Sequence, residues 1–227
     1  MLEEKLGIAM HWWKFENRVS DSMLINVDWI FKAGEALYQS IGILASEKNK
    51  GNTKMFKGTS SGTNQVMIHL PLNPAKYFHL RGILAMTADM YRITSAIVKN
   101  SETGDLKPHL NKIKRSSNKF RDLRNFFEHI DDRLTDFNEH GISGETETNC
   151  GISYTESAKD CFHLVFDGSS FHFSDEKKSK ERSFTVNDFI PIFEGLEGLY
   201  NVLTSHKMHS QVYPPFSSYC NYKALVK

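Results

Sequence analysis

The sequence predicts a mostly α-helical protein, an up-and-down helical bundle with a small β-hairpin inserted before the last long helix. Three observations lead there. Apolar residues recur at spacings of three and four through long stretches of the chain, which paints one face of a helix. One short stretch alternates instead, with Phe162, Leu164 and Phe166 followed by Asp167-Gly168 and then Phe171 and Phe173, the pattern of a hairpin around a turn-forming dipeptide. The 227 residues suffice for a substantial core, and 40% hydrophobic with 24% charged residues is a globular composition rather than a disordered or fibrous one.

From 20 to 45, Leu24, Val27, Phe31, Leu37, Ile41 and Leu44 continue one stripe through Gly34, and Ser20 or Asp21 can cap the helix. The polar Gly/Ser/Lys-rich segment that follows reads as a flexible insert over 46–72; its Lys48, Lys50, Lys54 and Lys57 could touch phosphate or simply be solvated. A second helix opens at Asn73-Pro74 and runs to about 99, with Ile83, Met86, Met90, Ile93 and Ile97 inward. A third, from 105 to 137, carries Leu106, Leu110, Ile113, Phe120, Phe127, Ile130, Leu134 and Phe137; unbroken, it would be a rod of roughly 45 to 50 Å. The hairpin appendage occupies 149–186. The last helix, about 187 to 206, buries Ile190, Phe193, Leu196, Leu199 and Leu203, with Pro191 early enough to bend it without breaking it. The tail from Ser210 is expected to be extended. No internal repeat or domain boundary is evident, so 1–227 reads as a single helical domain.

Charge and cysteine usage narrow the function classes. Lys+Arg 28 against Asp+Glu 27 leaves a net charge of +1, so any nucleic-acid partner must be met by local clustering. Three cysteines without a CxxC pair suggest neither a disulfide framework nor a ribbon-type zinc site. The acidic N-terminus lacks an apolar signal core and no window has the roughly 18 apolar residues of a membrane span, so a cytoplasmic protein with no membrane partner is expected. No HExxH, Gly-rich phosphate loop, GxSxG elbow or dinucleotide fingerprint is present, and no cofactor is called for. Among the ten histidines, Cys161, His163 and His172 could share a strand face, and His206 and His209 sit close together, but neither group offers four ligands; no metal site is assigned.

The densest polar chemistry lies between Phe120 and Arg133. Taking Arg124 as zero on a helix, Asn125 lies at about 100° and His129 at about 140°, so amide and imidazole share a face that a flexible guanidinium can reach. Asp132 could orient His129 or pair with Arg133, and Glu128 lies one turn from both Arg124 and Asp132. An ion-paired helix surface accounts for the same charges. The surrounding Phe120, Phe126, Phe127, Ile130 and Leu134 favour a cleft or an interface, where such groups need partners. Preceding them, Lys107, Lys112, Lys114, Arg115, Lys119, Arg121 and Arg124 stand against Asp122 alone, a segment of +6 that could follow an RNA backbone or be balanced by a neighbouring helix.

Arg124-Asn125-Phe126-Phe127-Glu128-His129 resembles the late-helix motif of the HEPN domain (higher eukaryotes and prokaryotes nucleotide-binding), an α-helical bundle family, and the likeness is sharp over 121–133. The resemblance implies a metal-independent endoribonuclease, in which Arg124 and Asn125 hold phosphate and His129 moves protons, with Glu128 and Asp132 in support. It also implies a homodimer that joins two motifs across one cleft, and places such a protein in bacterial defence or a toxin–antitoxin pair, with an antitoxin or regulatory protein as a further partner. Lys112, Lys114, Arg115, Lys119 and Arg121 would then contact RNA. Asp131 stands where nucleotidyltransferase-paired members often carry a tyrosine, which argues against that subgroup. The alternative reading is a non-catalytic HEPN-like module for dimerisation or ligand binding, since a shared fold does not establish activity.

Overall fold

The computed structural model describes residues 2–46, 57–60, 63–66, 74–128, 164–166, 170–175, 180–205 and 213–226. These residues are mostly helical and form a bundle. The helices are α1 (Leu2–Asn17), α2 (Asp21–Ser46), α3 (Pro74–Ile97), α4 (Lys107–Asn118), α5 (Arg121–Glu128) and α6 (Ile190–Thr204). Antiparallel backbone ladders join β1 (Lys57–Ser60) to β2 (Thr63–Val66), and β3 (Leu164–Phe166) to β4 (Ser170–Asp175) to β5 (Lys180–Thr185). The packing of the strand side chains lies outside the described residues.

Helix α1 was not among the expected elements. Leu6, Ala9, Met10 and Trp13 keep helical spacing and are all buried. The helix stops through backbone geometry: Arg18 takes a left-handed φ of 53°, and the Val19 N–H donates back to the Lys14 carbonyl at 3.2 Å. That is the six-to-one bond of a Schellman ending, in which glycine would be the less strained residue. Ser20 caps the next helix as expected, accepting from the Met23 N–H at 3.3 Å. Its own N–H and hydroxyl donate to the Glu102 carboxylate at 3.0 and 2.8 Å, and these bonds hold that carboxyl below its ordinary value. The α1–α2 corner is thereby tied to the link between α3 and α4.

The expected stripe of α2 is buried throughout, and Met23, Ile30 and Ala33 join it. In α3, Ile83, Met90 and Ile97 are buried, whereas Met86 and Ile93 are partly buried at the edge of the core. Asn73, the expected cap of α3, lies outside the described residues.

The single rod expected over 105–137 does not form. A 3-10 turn, Ser101–Leu106, includes Gly104 at φ 45°, and α4 begins only at Lys107. Around 119–120 the ladder tightens: Lys119 and Phe120 donate to the carbonyls of Ser116 and Ser117, three residues back, before α5 resumes. Ser116, Ser117 and Asn118 are weak helix formers, and the buried Phe120 ring stacks on Phe189 at 4.3 Å and 7°. Burial of one aromatic at a point of low helix propensity accounts for the break. Phe127, Ile130, Leu134 and Phe137, assigned to the same stripe, have side chains outside the described residues.

Helix α6 is the hub, packed by α1, α2 and α4 and by the chain that follows it. Ile192, Phe193, Leu196, Leu199, Tyr200 and Leu203 are all buried. A 3-10 turn, Val186–Phe189, leads in, so Pro191 occupies the first helical turn and leaves the helix unbroken. Glycines permit the close approach. A Cβ on Gly34 of α2 would lie 2.4 Å from Leu196 Cδ1, one on Gly195 2.5 Å from Ile113 Cγ1, and one on Gly198 2.0 Å from His109 Nδ1.

The tail corrects a further expectation, since 213–226 is not an extended strand. It forms two 3-10 turns, Phe216–Ser218 and Tyr222–Val226, that plug the bundle with Phe216, Cys220 and Tyr222 buried. Tyr200 donates to the Pro214 carbonyl at 2.6 Å, Tyr222 to Glu197 at 2.7 Å, and Tyr219 to Glu35 at 3.4 Å. Burial pushes the Cys220 thiol up to about 12, so it stays protonated at neutral pH as an inert core group.

Gly195→Ala should destabilise the protein by about 1 to 2 kcal/mol, because the clash with buried Ile113 exceeds the roughly 1 kcal/mol that alanine gains in helix propensity. Gly7→Ala in α1, whose added methyl meets nothing within 4 Å, should be neutral to stabilising. Urea unfolding of the two variants beside the parent checks the contrast.

His109 supplies a pH prediction. Burial, with a smaller contribution from the Lys112 charge, lowers its pKa in the folded state. The unfolded chain therefore binds this proton more readily. The folded state is favoured fully above the ordinary histidine range and loses that advantage as pH falls through it. The unfolding midpoint should drop between neutral pH and about pH 5, and His109→Gln should make the drop shallower.

Candidate functional site

The break at 119–120 aims α5. With Phe120 and Leu123 buried against the bundle, the opposite flank of α5 carries Arg121, Arg124, Asn125 and Glu128. The structure brings Arg124 and Asn125 together: the guanidinium Nη2 donates to Asn125 Oδ1 at 3.1 Å. Glu128 joins them one turn on, 3.5 Å from Arg124 Nε, within ion-pair range but without hydrogen-bond geometry. The Arg124 side chain is 21% exposed, so its charge is only partly solvated. His129 and Asp132 lie outside the described residues.

Facing this flank is a wall of α3 that the sequence reading did not single out. Arg81, Ala85, Ala88 and Arg92 are spaced four, three and four apart and fall on one stripe, two arginines separated by small residues. Between the stripes lie two adjoining clefts. One, of about 270 Å³, is lined among others by Tyr91, Arg92, Ser117, Arg121 and Arg124. The other, of about 200 Å³, includes Arg81, Ala85, Asp89, Arg124 and Glu128, and both share Ala88, Arg92 and Arg124. Their joint lining carries four arginines against two carboxylates. Arg92 Nη1 stands 3.6 Å from Asp89, an exposed pair that leaves the Arg92 side chain 67% exposed. The signal for this wall was the small-residue spacing between Arg81 and Arg92.

Two polar groups in this lining are buried without a hydrogen-bond partner, Arg124 Nε and Ser117 Oγ. The Ser117 residue is only 3% exposed. Such groups are uncommon in folded proteins and cost free energy while unmet.

The basic segment is not one track. Arg121 and Arg124 line the α3 clefts, whereas Lys112 and Arg115 line a separate depression beside Pro191 of α6. Lys112 is bound to Glu194 at 2.6 Å, which neutralises it locally. Lys114 is half-buried and Lys119 exposed, and neither lines the Arg124 clefts. Helical rotation and the break account for the division, since a run that is contiguous in sequence is spread around α4 before α5 begins.

Among the described residues no group of three metal-ligating side chains is found. The side chains of Cys161, His163 and His172, and His206 and His209, lie outside the described residues, as do the lysines of the insert. Among the described residues, no helix is long and apolar enough to cross a membrane. Comparison with protein-family models, with curated proteins and with solved structures finds no match to the chain.

Ser117→Ala removes an unpaired buried hydroxyl and improves helix propensity, so it should stabilise the protein by about 0.5 to 1 kcal/mol. Urea unfolding measures this. A loss of stability would mean that the hydroxyl is satisfied in solution.

Proposed function

We propose that the chain is a metal-independent endoribonuclease of HEPN type, a single helical domain with the strands before α6 as an appendage, acting as a homodimer. The observation that supports this most directly is the placement of Arg124: partly buried, bonded to Asn125, and common to both arginine-lined clefts. A guanidinium so held is suited to a phosphodiester, because it offers fixed donors in a low-dielectric setting to an acceptor-only ligand.

In this reading RNA supplies its own nucleophile. The 2′-OH attacks phosphorus and loses its proton to a base, the P–O5′ bond breaks, and the 5′-oxygen takes a proton from an acid, leaving a cyclic phosphate and a 5′-hydroxyl. Arg124 neutralises charge that develops on the phosphoryl oxygens, and Asn125 positions phosphate or imidazole. Histidine is the side chain suited to serve as acid or base near neutrality, and in this reading His129 takes that role. Acid and base act at opposite ends of the displacement, so one histidine from each subunit meets the need. Glu128 and Asp132 support the arginine and the histidine. The setting is cytoplasmic defence or a toxin–antitoxin pair, with an antitoxin or regulatory protein restraining the activity.

The second reading, a non-catalytic dimeric binding module, draws on the Arg124–Glu128 pair, in which a carboxylate competes for the guanidinium a phosphate would need. Incubation of a mixed RNA pool with the protein in EDTA separates the two. Cleavage is expected, falling by about 100-fold or more in His129→Ala and Arg124→Ala. Absence of cleavage, with the protein folded and dimeric, supports the binding module. A monomer at micromolar concentration in sedimentation would remove the composite site.

A further inference from the structure

The clefts between α3 and α5 contain more cationic machinery than the Arg-Asn-His motif requires. Arg92 comes from a different helix, and Arg121 lies one turn before Arg124. Arg81 stands at the far end of the α3 stripe. Ala85 and Ala88 keep the space between the stripes open, and Ala88 is itself 6% exposed at its base. Larger side chains there would fill the gap. Both polar groups of this lining without a hydrogen-bond partner, Arg124 Nε and Ser117 Oγ, can donate hydrogen bonds. The shared requirement is an acceptor-rich anion small enough to enter between two helices. Inorganic phosphate, or one phosphate of a strand, has that character.

We infer that Arg92 and Arg121, with Ser117, form a backbone-phosphate subsite for a single-stranded nucleic acid, next to the phosphate held by Arg124. The choice of a phosphodiester strand rests on the ribonuclease reading; the anion site itself rests on the lining. Arg92 and Arg121 take a phosphate flanking the scissile one and set the register of the strand, contributing affinity without sequence preference. These are positioning residues, and none of them moves a proton. Asp89 and Glu128 oppose the site, and an entering phosphate exchanges places with them on Arg92 and Arg124. Binding should therefore weaken steeply with salt.

The test separates binding from chemistry by using a 5′-labelled 2′-O-methyl oligouridine, which has no free 2′-OH and cannot be cleaved by this route. Anisotropy titrations with the full chain should show roughly tenfold weaker binding for each of Arg92→Gln and Arg121→Gln. The slope of log affinity against log salt should fall by about 0.7 for each. Ser117→Ala should weaken binding while raising the urea midpoint, which a purely structural serine would not do. Lys32→Gln on α2 serves as a charge-matched control and should bind like the parent. Binding unaffected by Arg92→Gln and Arg121→Gln, or absent in the parent, overturns the subsite even if RNA is cleaved. Binding with the expected losses but no cleavage of the RNA pool upholds the subsite and rejects the ribonuclease.

Discussion

The close approach of α6 to its neighbours is the constraint on which the rest of the structure depends. Gly34, Gly195 and Gly198 lie where a single methyl group would collide with Leu196, Ile113 or His109, so α2, α4 and α6 sit at glycine-permitted distance. This fixes α4, and α4 fixes the point at which its chain must turn. Phe120 then stacks on Phe189, in the turn that feeds α6, so the same hub that organises the core also sets the orientation of α5. The placement of Arg121 and Arg124 on the α3 side follows from that anchoring and not from anything local to the charged residues.

The pairing around Arg124 shows a balance between order and availability. A guanidinium bonded to an amide on its own helix is held in place, and a carboxylate one turn away keeps it from being an unpaired charge in a partly buried site. Neither contact uses all five guanidinium donors. Buried donors left unmet on the same lining are the kind of local cost that folded proteins carry at binding sites and offset elsewhere, here in an extensive apolar core.

Much of this was legible in the amino-acid order, and the failures have physical causes. The stripes of α2 and α6 could be read because burial on one side imposes a period on the sequence. Helix α1 escaped because its stop is written in Arg18, a residue with no preference for left-handed backbone, where a glycine would have announced it. The false rod arose because Phe120 fits the helical period equally well whether the helix continues or breaks at it. Arg124 and Asn125 were legible as neighbours on one helix. The spacing of the α3 wall was there to be read, but its pairing with α5 was not, because how two stripes far apart in sequence meet is something periodicity does not encode. The basic run misled for the complementary reason: seven cations in sequence say nothing about how many share a side.

The tail has a consequence for the order of events in folding. Tyr219 meets Glu35 across 184 positions, and Phe216, Cys220 and Tyr222 complete a core whose other walls include residues made much earlier in synthesis. A chain growing on the ribosome makes the socket long before the plug. Until residue 222 emerges, Phe193, Tyr200 and Phe31 of α2 face solvent where the tail will sit. Such long-range closure slows folding relative to bundles built from neighbouring helices, and it leaves the nascent chain dependent on protection of that gap.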